Sequence, residues 1–217
     1  MNYTLSKLSY AYEDLEPFLD KRTMVLHHKM HHQTYVNNTN QILKNIKIDF
    51  KKRDIFDLIQ NLDIISDRDI KRSLLNNAGG HANHTIFFQG LKLGTNLSQE
   101  MKKEISSHFN SVENFKKLFE ETAISFFGSG WVWLVLKNSK LEIVSTVNQE
   151  NPLMYNNSAN FYYPIFGIDL WEHSYYLKYQ NRKKEYIQSF WNILSWEEAE
   201  KRFTTGIKLI RKKINDN

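Results

Sequence analysis

The chain has 217 residues, of which 41% are hydrophobic, so it can bury the core of one large domain or two small ones. It has no cysteine, which excludes disulfides, zinc-thiolate sites and iron–sulfur clusters, and no apolar run approaches the roughly 18 to 20 residues that cross a bilayer. The net charge is +5, but the basic residues are dispersed among acids, so we expect neither nucleic acid nor a membrane as a partner.

The N-terminal half is predicted to be helical. Its first stretch carries Asp14 and Glu16 and lacks the apolar segment of a secretory signal, so a cytoplasmic location is expected. No glycine or proline interrupts residues 21–45, which predicts a long helix there. A shorter helix is predicted over residues 54–65.

A third helix is predicted to begin at Ser66, which forms a capping-box pattern with Asp69, and to run toward Gly90. It contains Gly79 and Gly80 side by side. Each glycine inside a helix costs about 1 kcal/mol relative to alanine. The pair therefore indicates a place where another backbone or side chain comes close to the helix.

The second half is predicted to combine helices with strands. Gly94-Thr95-Asn96 is the predicted boundary between an all-α domain at 1–93 and an α+β domain at 94–217. The predicted elements are helices at 99–109 and 112–127 (N-cap Ser111), a hairpin of strands at 131–136 and 141–147, a third strand at 161–168 and a helix at 195–214 (N-cap Ser195). The predicted fold class is α+β, with an N-terminal helical hairpin domain followed by a C-terminal domain with a three-stranded antiparallel sheet and flanking helices.

The first histidine-rich stretch, His27-His28-Lys29-Met30-His31-His32, lies within the first predicted helix. On a helix, His27 and His31 share one face, and His28 and His32 share another. A solvated polar stripe would explain any single histidine here. The presence of two such histidine pairs, with Tyr35 one turn further along the helix, favours a functional site. Spacing alone does not show which of the two pairs is functional.

The second stretch contains His81 and His84, whose spacing is that of a local metal pair but also of many helix surfaces. Asp169 and His173 follow the third predicted strand, and on a helical turn they would face the same way. A carboxylate beside a neutral imidazole suits a redox-active metal such as manganese or iron. The structural alternative is that Asp169 caps a helix and that His173 is a buried, hydrogen-bonded histidine.

These stretches together resemble the iron/manganese superoxide dismutases, and the resemblance covers essentially the whole chain. It implies an enzyme that converts two superoxide radicals to oxygen and hydrogen peroxide. The matching segments are Tyr10-Ala11-Tyr12, Leu15-Glu16-Pro17, His27-His28, His31 to Asn38, Asn77 to His84, Phe127 to Leu134, Asn148-Gln149 and Asp169 to Tyr176.

The resemblance implies a metal site with four protein ligands: His27, His84, Asp169 and His173. It thereby selects His27 and His84 from stretches in which spacing left the choice open. The implied cofactor is one manganese ion per subunit, with iron as the alternative, which cycles between trivalent and divalent states. A solvent molecule is implied as a further ligand, and superoxide is the implied substrate.

The resemblance also implies roles around the metal. Tyr35 and His31 would line the substrate entry, and Gln149 would hydrogen-bond the metal-bound solvent. Trp131 and Trp171 would form the pocket walls, and Arg182 would lie near the channel mouth. The resemblance also implies a homodimer. In it Glu172 would contact His173 of the partner subunit, and Tyr176 would contact His31 of the partner subunit.

Four positions depart from the family pattern without removing a ligand. Met30 stands where many members have lysine, Phe88 replaces a frequent tryptophan, and Phe18 and Ser174 are milder changes. Manganese-type members carry the solvent-tuning glutamine after the hairpin, where this chain has Gln149. Iron-type members carry it at the position of Gly80. Gly80, and Gly167 just before Asp169, therefore resemble the manganese type.

Two rival functions make different demands on the sequence. A non-catalytic protein that keeps the fold for binding, for example to RNA, has no need of a complete ligand set, and this chain has all four ligands and Gln149. A di-metal carboxylate bundle needs paired Glu-x-x-His motifs, which the chain lacks. The sequence therefore favours the dismutase.

Overall fold

The computed structural model describes residues 2–46 and 54–215, and within them helices surround one three-stranded sheet. No helix in these ranges is both long enough and apolar enough to cross a membrane. The helices and strands are α1 (Lys21–Val25), a π-helical stretch (Leu26–His32), α2 (Gln33–Lys44), α3 (Ile55–Gln60), α4 (Arg68–Gln89), α5 (Gln99–Phe109), α6 (Val112–Ser125), β1 (Gly130–Lys137), β2 (Lys140–Val147), β3 (Tyr162–Asp169), α7 (Tyr176–Tyr179), α8 (Lys183–Ile193) and α9 (Trp196–Asn215).

The first predicted helix is confirmed, but its centre is not α-helical. The stretch Leu26–His32 has π-helical hydrogen bonding between α1 and α2, which the residue pattern did not indicate. π-helical segments are rare and often lie at functional sites. Here the segment carries the first histidine-rich stretch, and it buries His27, His28 and His32 while His31 stays exposed.

The start of α4 differs from the prediction by one residue. Asp67, not Ser66, is the N-cap, and its carboxylate accepts hydrogen bonds from the backbone N–H groups of Asp69 and Ile70. An anionic cap also interacts favourably with the positive end of the helix dipole, which favours Asp67 over Ser66 as the N-cap. The predicted helix at 54–65 is likewise divided into α3 and a 3-10 turn at Leu62–Ile64.

The glycine pair in α4 confirms the predicted close approach. A Cβ atom on Gly79 would lie 2.2 Å from the carbonyl oxygen of Gln149. A Cβ atom on Gly80 would lie 2.6 Å from the ring of Tyr35. The two glycines therefore let α4 touch both α2 and the chain that follows the hairpin.

The three predicted strands form an antiparallel sheet in the order β2-β1-β3. Strand β3 extends one residue beyond the prediction, so Asp169 is its last residue and pairs with Trp131 on β1. Helix α6 has the predicted N-cap Ser111 but ends at Ser125, two residues early. Helix α8 was not predicted, although its buried residues Tyr186, Ile187, Phe190 and Ile193 have helical spacing.

The central strand β1 is the most enclosed element of the sheet. Residues from Gly130 to Leu136 are all buried, and an aromatic cluster of α6, β3 and α8 packs nearby through Phe119, Phe166 and Phe190. The Trp133 indole donates to Thr146 Oγ1 at 2.9 Å, which satisfies its polar atom inside this core. Asp169 thus lies at the end of β3, paired with this buried central strand. The predicted domain boundary at 94–96 stays a prediction.

Candidate metal centre

Four side chains from distant parts of the chain meet at the end of β3. His27 comes from the π-helical stretch, His84 from α4, Asp169 from the end of β3 and His173 from the 3-10 turn Glu172–Ser174. One nitrogen or oxygen atom of each lies within 4.8 Å of the others. Asp169 Oδ2 lies 3.1 Å from His27 Nε2, 3.3 Å from His173 Nε2 and 3.6 Å from His84 Nε2.

The four facing atoms have the distances and the chemistry of metal ligands. Buried polar atoms in proteins almost always have hydrogen-bond partners, yet among the described residues none of these four atoms has one. Ligands at about 2.1 Å from an ion lie about 3.0 Å apart at right angles and about 3.6 Å apart at 120°. The distances from Asp169 Oδ2 match that range. A cation held by three nitrogens and one oxygen would satisfy all four atoms.

Two of the four ligands, His84 and Asp169, are oriented by hydrogen bonds of their other polar atoms. His84 Nδ1 donates to the carbonyl oxygen of Gly80 at 2.6 Å, so its Nε2 carries a free lone pair. Asp169 Oδ1 accepts from the backbone N–H of Trp171 at 2.9 Å, which leaves Oδ2 free. The predicted helical turn is wrong, because Asp169 ends a strand and His173 lies in a 3-10 turn that Ser174 ties back to the Asp169 carbonyl.

The protonation states also suit a cation. Burial lowers the pKa of His27 to about 4 and holds the pKa of His84 well below its ordinary value. Burial alone would raise the pKa of Asp169, but its contacts with His173 and His27 outweigh burial and keep that pKa low. His27 and His84 are therefore neutral and Asp169 is ionised near pH 7, as metal ligation requires.

The other histidines of the two stretches have different partners. His32 Nε2 and His81 Nδ1 lie 2.8 Å apart, so His81 and His84 do not form a local metal pair. His28 binds the hydroxyl of Tyr12 and the carbonyl oxygen of Ser6. The exposed ring of His31 stacks on His173 at 4.1 Å between centroids.

Gln149 and Tyr35 lie together beside the ligand cluster. Gln149 Nε2 donates to the Tyr35 hydroxyl oxygen at 3.1 Å, and its Oε1 accepts from Trp131 Nε1 at 3.2 Å. The Tyr35 ring packs against His84 at 5.2 Å between centroids. Burial raises the pKa of Tyr35, so its hydroxyl is protonated at neutral pH.

Aromatic side chains enclose the cluster. Trp131 packs edge-on against His84 at 5.2 Å, and Trp171 stacks on His173 at 5.7 Å between centroids. Phe88 is 2% exposed and contacts both His27 and His84. This wall excludes water and lowers the dielectric constant around the ligands.

Three predicted site residues lie outside this enclosure. Glu172 and Tyr176 are exposed at the surface next to His173. Arg182 is also exposed, and its guanidinium binds Gln180, Glu185 and the carbonyl oxygen of Lys178.

Two asparagines that the residue pattern did not single out belong to the same network. Asn83 Nδ2 donates to Gln149 Oε1 at 3.0 Å, and Asn151 Nδ2 donates to Asn83 Oδ1 at 2.7 Å. Both side chains are fully buried. The available signals were their positions, since Asn83 precedes His84 and Asn151 lies two residues after Gln149.

Comparison with known proteins agrees with this geometry. A family model for the alpha-hairpin domain of iron/manganese superoxide dismutases matches residues 2–92, and a model for their C-terminal domain matches residues 97–202. Proteins of Salmonella typhimurium and Escherichia coli K12 named superoxide dismutase [Mn] are each 53% identical over 206 residues, covering 94% of this chain and 98% of theirs. A Buchnera aphidicola protein of that name is 53% identical over 204 residues, covering 93% of this chain and 98% of its own. The chain therefore belongs to the iron/manganese superoxide dismutase family.

Proposed function

We propose that this protein is a superoxide dismutase with one manganese ion bound by His27, His84, Asp169 and His173, and with iron as the alternative metal. The convergence of four unpartnered ligand atoms carries the proposal. The relatives that cover almost the whole chain are named as manganese enzymes, which favours manganese. Three imidazoles and one carboxylate accept either metal, so the donor set by itself does not separate them.

The bound ion would supply one-electron chemistry by alternating between trivalent and divalent states. One superoxide is oxidised to oxygen, and a second takes one electron and two protons to become hydrogen peroxide. The protein's part is to hold a site of net positive charge, since Asp169 is the only anion among the four ligands. That charge attracts superoxide, and the association rate should fall as salt screens it.

Gln149 and Tyr35 are proposed to assist proton transfer. Because the Tyr35 oxygen accepts from Gln149 Nε2, the Tyr35 hydroxyl proton is free to be donated elsewhere. Tyr35 is half-buried and His31 is exposed, so the two can line a path from solvent to the ligands. Trp131 and Trp171 would close the remaining sides of the pocket.

A homodimer is part of the proposal. The carboxylate of Glu172 would bind His173 of the partner subunit, and Tyr176 would reach His31 of the partner subunit. Both side chains are exposed on the single chain, and the apolar side chain of Phe127 is 99% exposed. An isologous contact would bury this surface and bring the two metal sites close to one interface. A position for Arg182 near the channel mouth, the division at 94–96 and a cytoplasmic location stay predictions.

The proposed function is tested by loading the metal-free protein separately with manganese and with iron. We expect about one ion per chain and superoxide consumption well above that of the free ion, with a rate that declines as ionic strength rises. A protein that binds the metal stoichiometrically but consumes no superoxide would overturn the proposal. The ratio of the two metal-dependent activities identifies the functional metal.

The change Glu172→Ala is expected to weaken association and activity together. It removes the proposed charged partner of the partner's His173, and loss of one member of a buried pair costs about 3 to 5 kcal/mol. Sedimentation velocity and turnover should be measured on the same sample. Glu121→Ala is the control, because its exposed pair with Lys117 contributes little. A Glu172→Ala protein that remains as dimeric and as active as the wild type would contradict the dimer contact.

The change Gln149→Ala is expected to preserve metal binding but to shift the midpoint potential and slow turnover. No ligand is lost, whereas the donor to Tyr35 and the acceptor for Trp131 both disappear. Loss of such a supporting group typically costs about 10- to 100-fold in activity. Metal content, potential and turnover are measured together, with the exposed Gln60→Ala as control. An unchanged potential and turnover would show that Gln149 only fills space.

A further inference from the structure

Asn151 is fully buried beside the hydrogen-bond network of the metal centre, yet it touches no ligand of the proposed ion. Its Oδ1 accepts from the backbone N–H of Leu153 at 2.9 Å. Its Nδ2 donates to Asn83 Oδ1 at 2.7 Å, across 68 residues of sequence. The first contact caps the 3-10 turn Pro152–Tyr155, and the second leads toward Gln149.

The contacts define the orientation of each amide in turn. A carboxamide has an oxygen that accepts and a nitrogen that donates, and neighbours decide which way it points. The Leu153 N–H can only donate, so it must meet Asn151 Oδ1. Asn151 Nδ2 then requires Asn83 Oδ1, which leaves Asn83 Nδ2 to donate to Gln149 Oε1 at 3.0 Å and to the carbonyl oxygen of Glu150 at 3.3 Å.

The same chain of contacts ends at Tyr35. Gln149 Oε1 accepts from Asn83 and also from the Trp131 indole N–H, which can only donate. Both neighbours therefore force Gln149 Nε2 toward the Tyr35 oxygen, where it donates at 3.1 Å. A reversed Gln149 amide would instead require the Tyr35 proton, and that proton would no longer be free.

We propose that Asn151 is a positioning residue that acts through Asn83 to keep the Gln149 amide turned so that its nitrogen faces Tyr35. The assignment rests on the proposed function, because Gln149 and Tyr35 matter as members of the dismutase site. If Asn151 were only a cap, its Oδ1 would suffice, and aspartate would cap the turn equally well. The contact from Nδ2 to Asn83 is what a cap does not need.

Two substitutions separate these roles. Asn151→Ala removes both contacts but leaves Trp131 in place, so we expect turnover to fall about fivefold, the factor of one ordinary hydrogen bond. At a pH high enough to ionise the new carboxyl, Asn151→Asp keeps the shape and the cap but presents only acceptors to Asn83. Asn83 then either faces the new carboxylate with its own oxygen, or turns its nitrogen toward it and sets its oxygen against both Gln149 Oε1 and the Glu150 carbonyl oxygen. Both arrangements bring acceptors together and strain the network. The isosteric aspartate is therefore expected to lower turnover more than alanine, by about tenfold or more.

The experiment measures metal content, thermal stability, midpoint potential and turnover for both variants and for Gln149→Ala. Both variants should bind the metal and shift the potential in the same direction as Gln149→Ala. Asn157→Ala is the matched control, because Asn157 caps an exposed turn in the same loop by accepting from Ala159 and Asn160 and does not join the network. Its potential and turnover should equal those of the wild type.

An aspartate variant that is milder than alanine, or potentials that stay at the wild-type value in both folded variants, would overturn the assignment. If the aspartate variant does not fold, Asn151→Ser decides, because a hydroxyl can accept from Leu153 and donate to Asn83. Serine should recover part of the turnover lost with alanine, and equal values would count against the idea. Failure of the wild-type protein to consume superoxide would instead refute the proposed function, and the potentials would still test Asn151.

Discussion

The change Asp169→Ala is expected to abolish metal binding and superoxide consumption together. Asp169 is the only anionic ligand in the cluster, and its Oδ2 lies within 3.6 Å of all three ligand nitrogens. Its removal leaves three imidazoles and no anionic ligand in the pocket, and these bind a divalent cation far more weakly. Activity should fall by more than about 100-fold, the upper loss for residues that merely support a ligand.

Metal analysis of the purified variant and its turnover after reconstitution measure this effect. Asp169→Asn is the informative companion, because it keeps an oxygen for the Trp171 N–H while removing the negative charge. Asp63→Ala, at an exposed carboxylate paired with Lys71, is the control and should behave as the wild type. A metal-loaded and fully active Asp169→Ala protein would contradict the assignment of Asp169 as a metal ligand.

The change Gly79→Ala is expected to destabilise the fold and to impair the site, although alanine normally favours a helix. Its Cβ would lie 2.2 Å from the Gln149 carbonyl oxygen and 2.9 Å from Met154 Cε. The first of these is backbone and cannot rotate away, so α4 and the segment after the hairpin must move apart. Overpacking costs about 1 to 3 kcal/mol, and a clash with rigid backbone belongs at the upper end of that range. After the helical gain of about 1 kcal/mol is subtracted, a net loss of about 2 kcal/mol remains.

Thermal unfolding and turnover test this prediction together. A loss of about 2 kcal/mol corresponds to a fall in melting temperature of roughly 4 to 8 °C for a chain of this length. Turnover at a temperature where the variant is folded should also fall, because the displaced segment carries Gln149. Asn76→Ala changes an exposed position on the same helix and should raise or preserve stability. Equal melting temperatures for Gly79→Ala and the wild type would contradict the prediction. They would show that the segment carrying Gln149 can move away from α4 without loss of stability.

Helices and strands with strong local patterns could be predicted from the residues. The three strands and the helix that Ser195 caps appear close to their predicted positions, because alternation and capping act within a few residues. Helix α8 had a readable pattern and was missed. The π-helical geometry of Leu26–His32 had no such pattern, since it depends on how the histidines pack against α4 and the 3-10 turn.

The candidate site could be predicted in part. Local spacing grouped His27 with His31 and His81 with His84, yet the structure pairs His27 and His84 with Asp169 and leaves His81 to bind His32. The resemblance implied the set that the structure brings together, because it carries three-dimensional information that spacing lacks. Neither spacing nor the resemblance indicated Asn151, because its contact with Asn83 joins residues that only the packed fold brings together.

The sequence by itself determined most of the helices and all three strands, the class of metal chemistry and the need for close approach at Gly79 and Gly80, because these follow from residue type and short-range periodicity. Only the tertiary structure decided which imidazoles turn inward, how Asp169 presents one oxygen to the cluster and which way the Gln149 amide points. Each of these depends on satisfying buried polar atoms with partners from distant segments. A polar atom needs a protein partner only after the chain has packed and water has been excluded from it, so the requirement cannot be evaluated from the sequence.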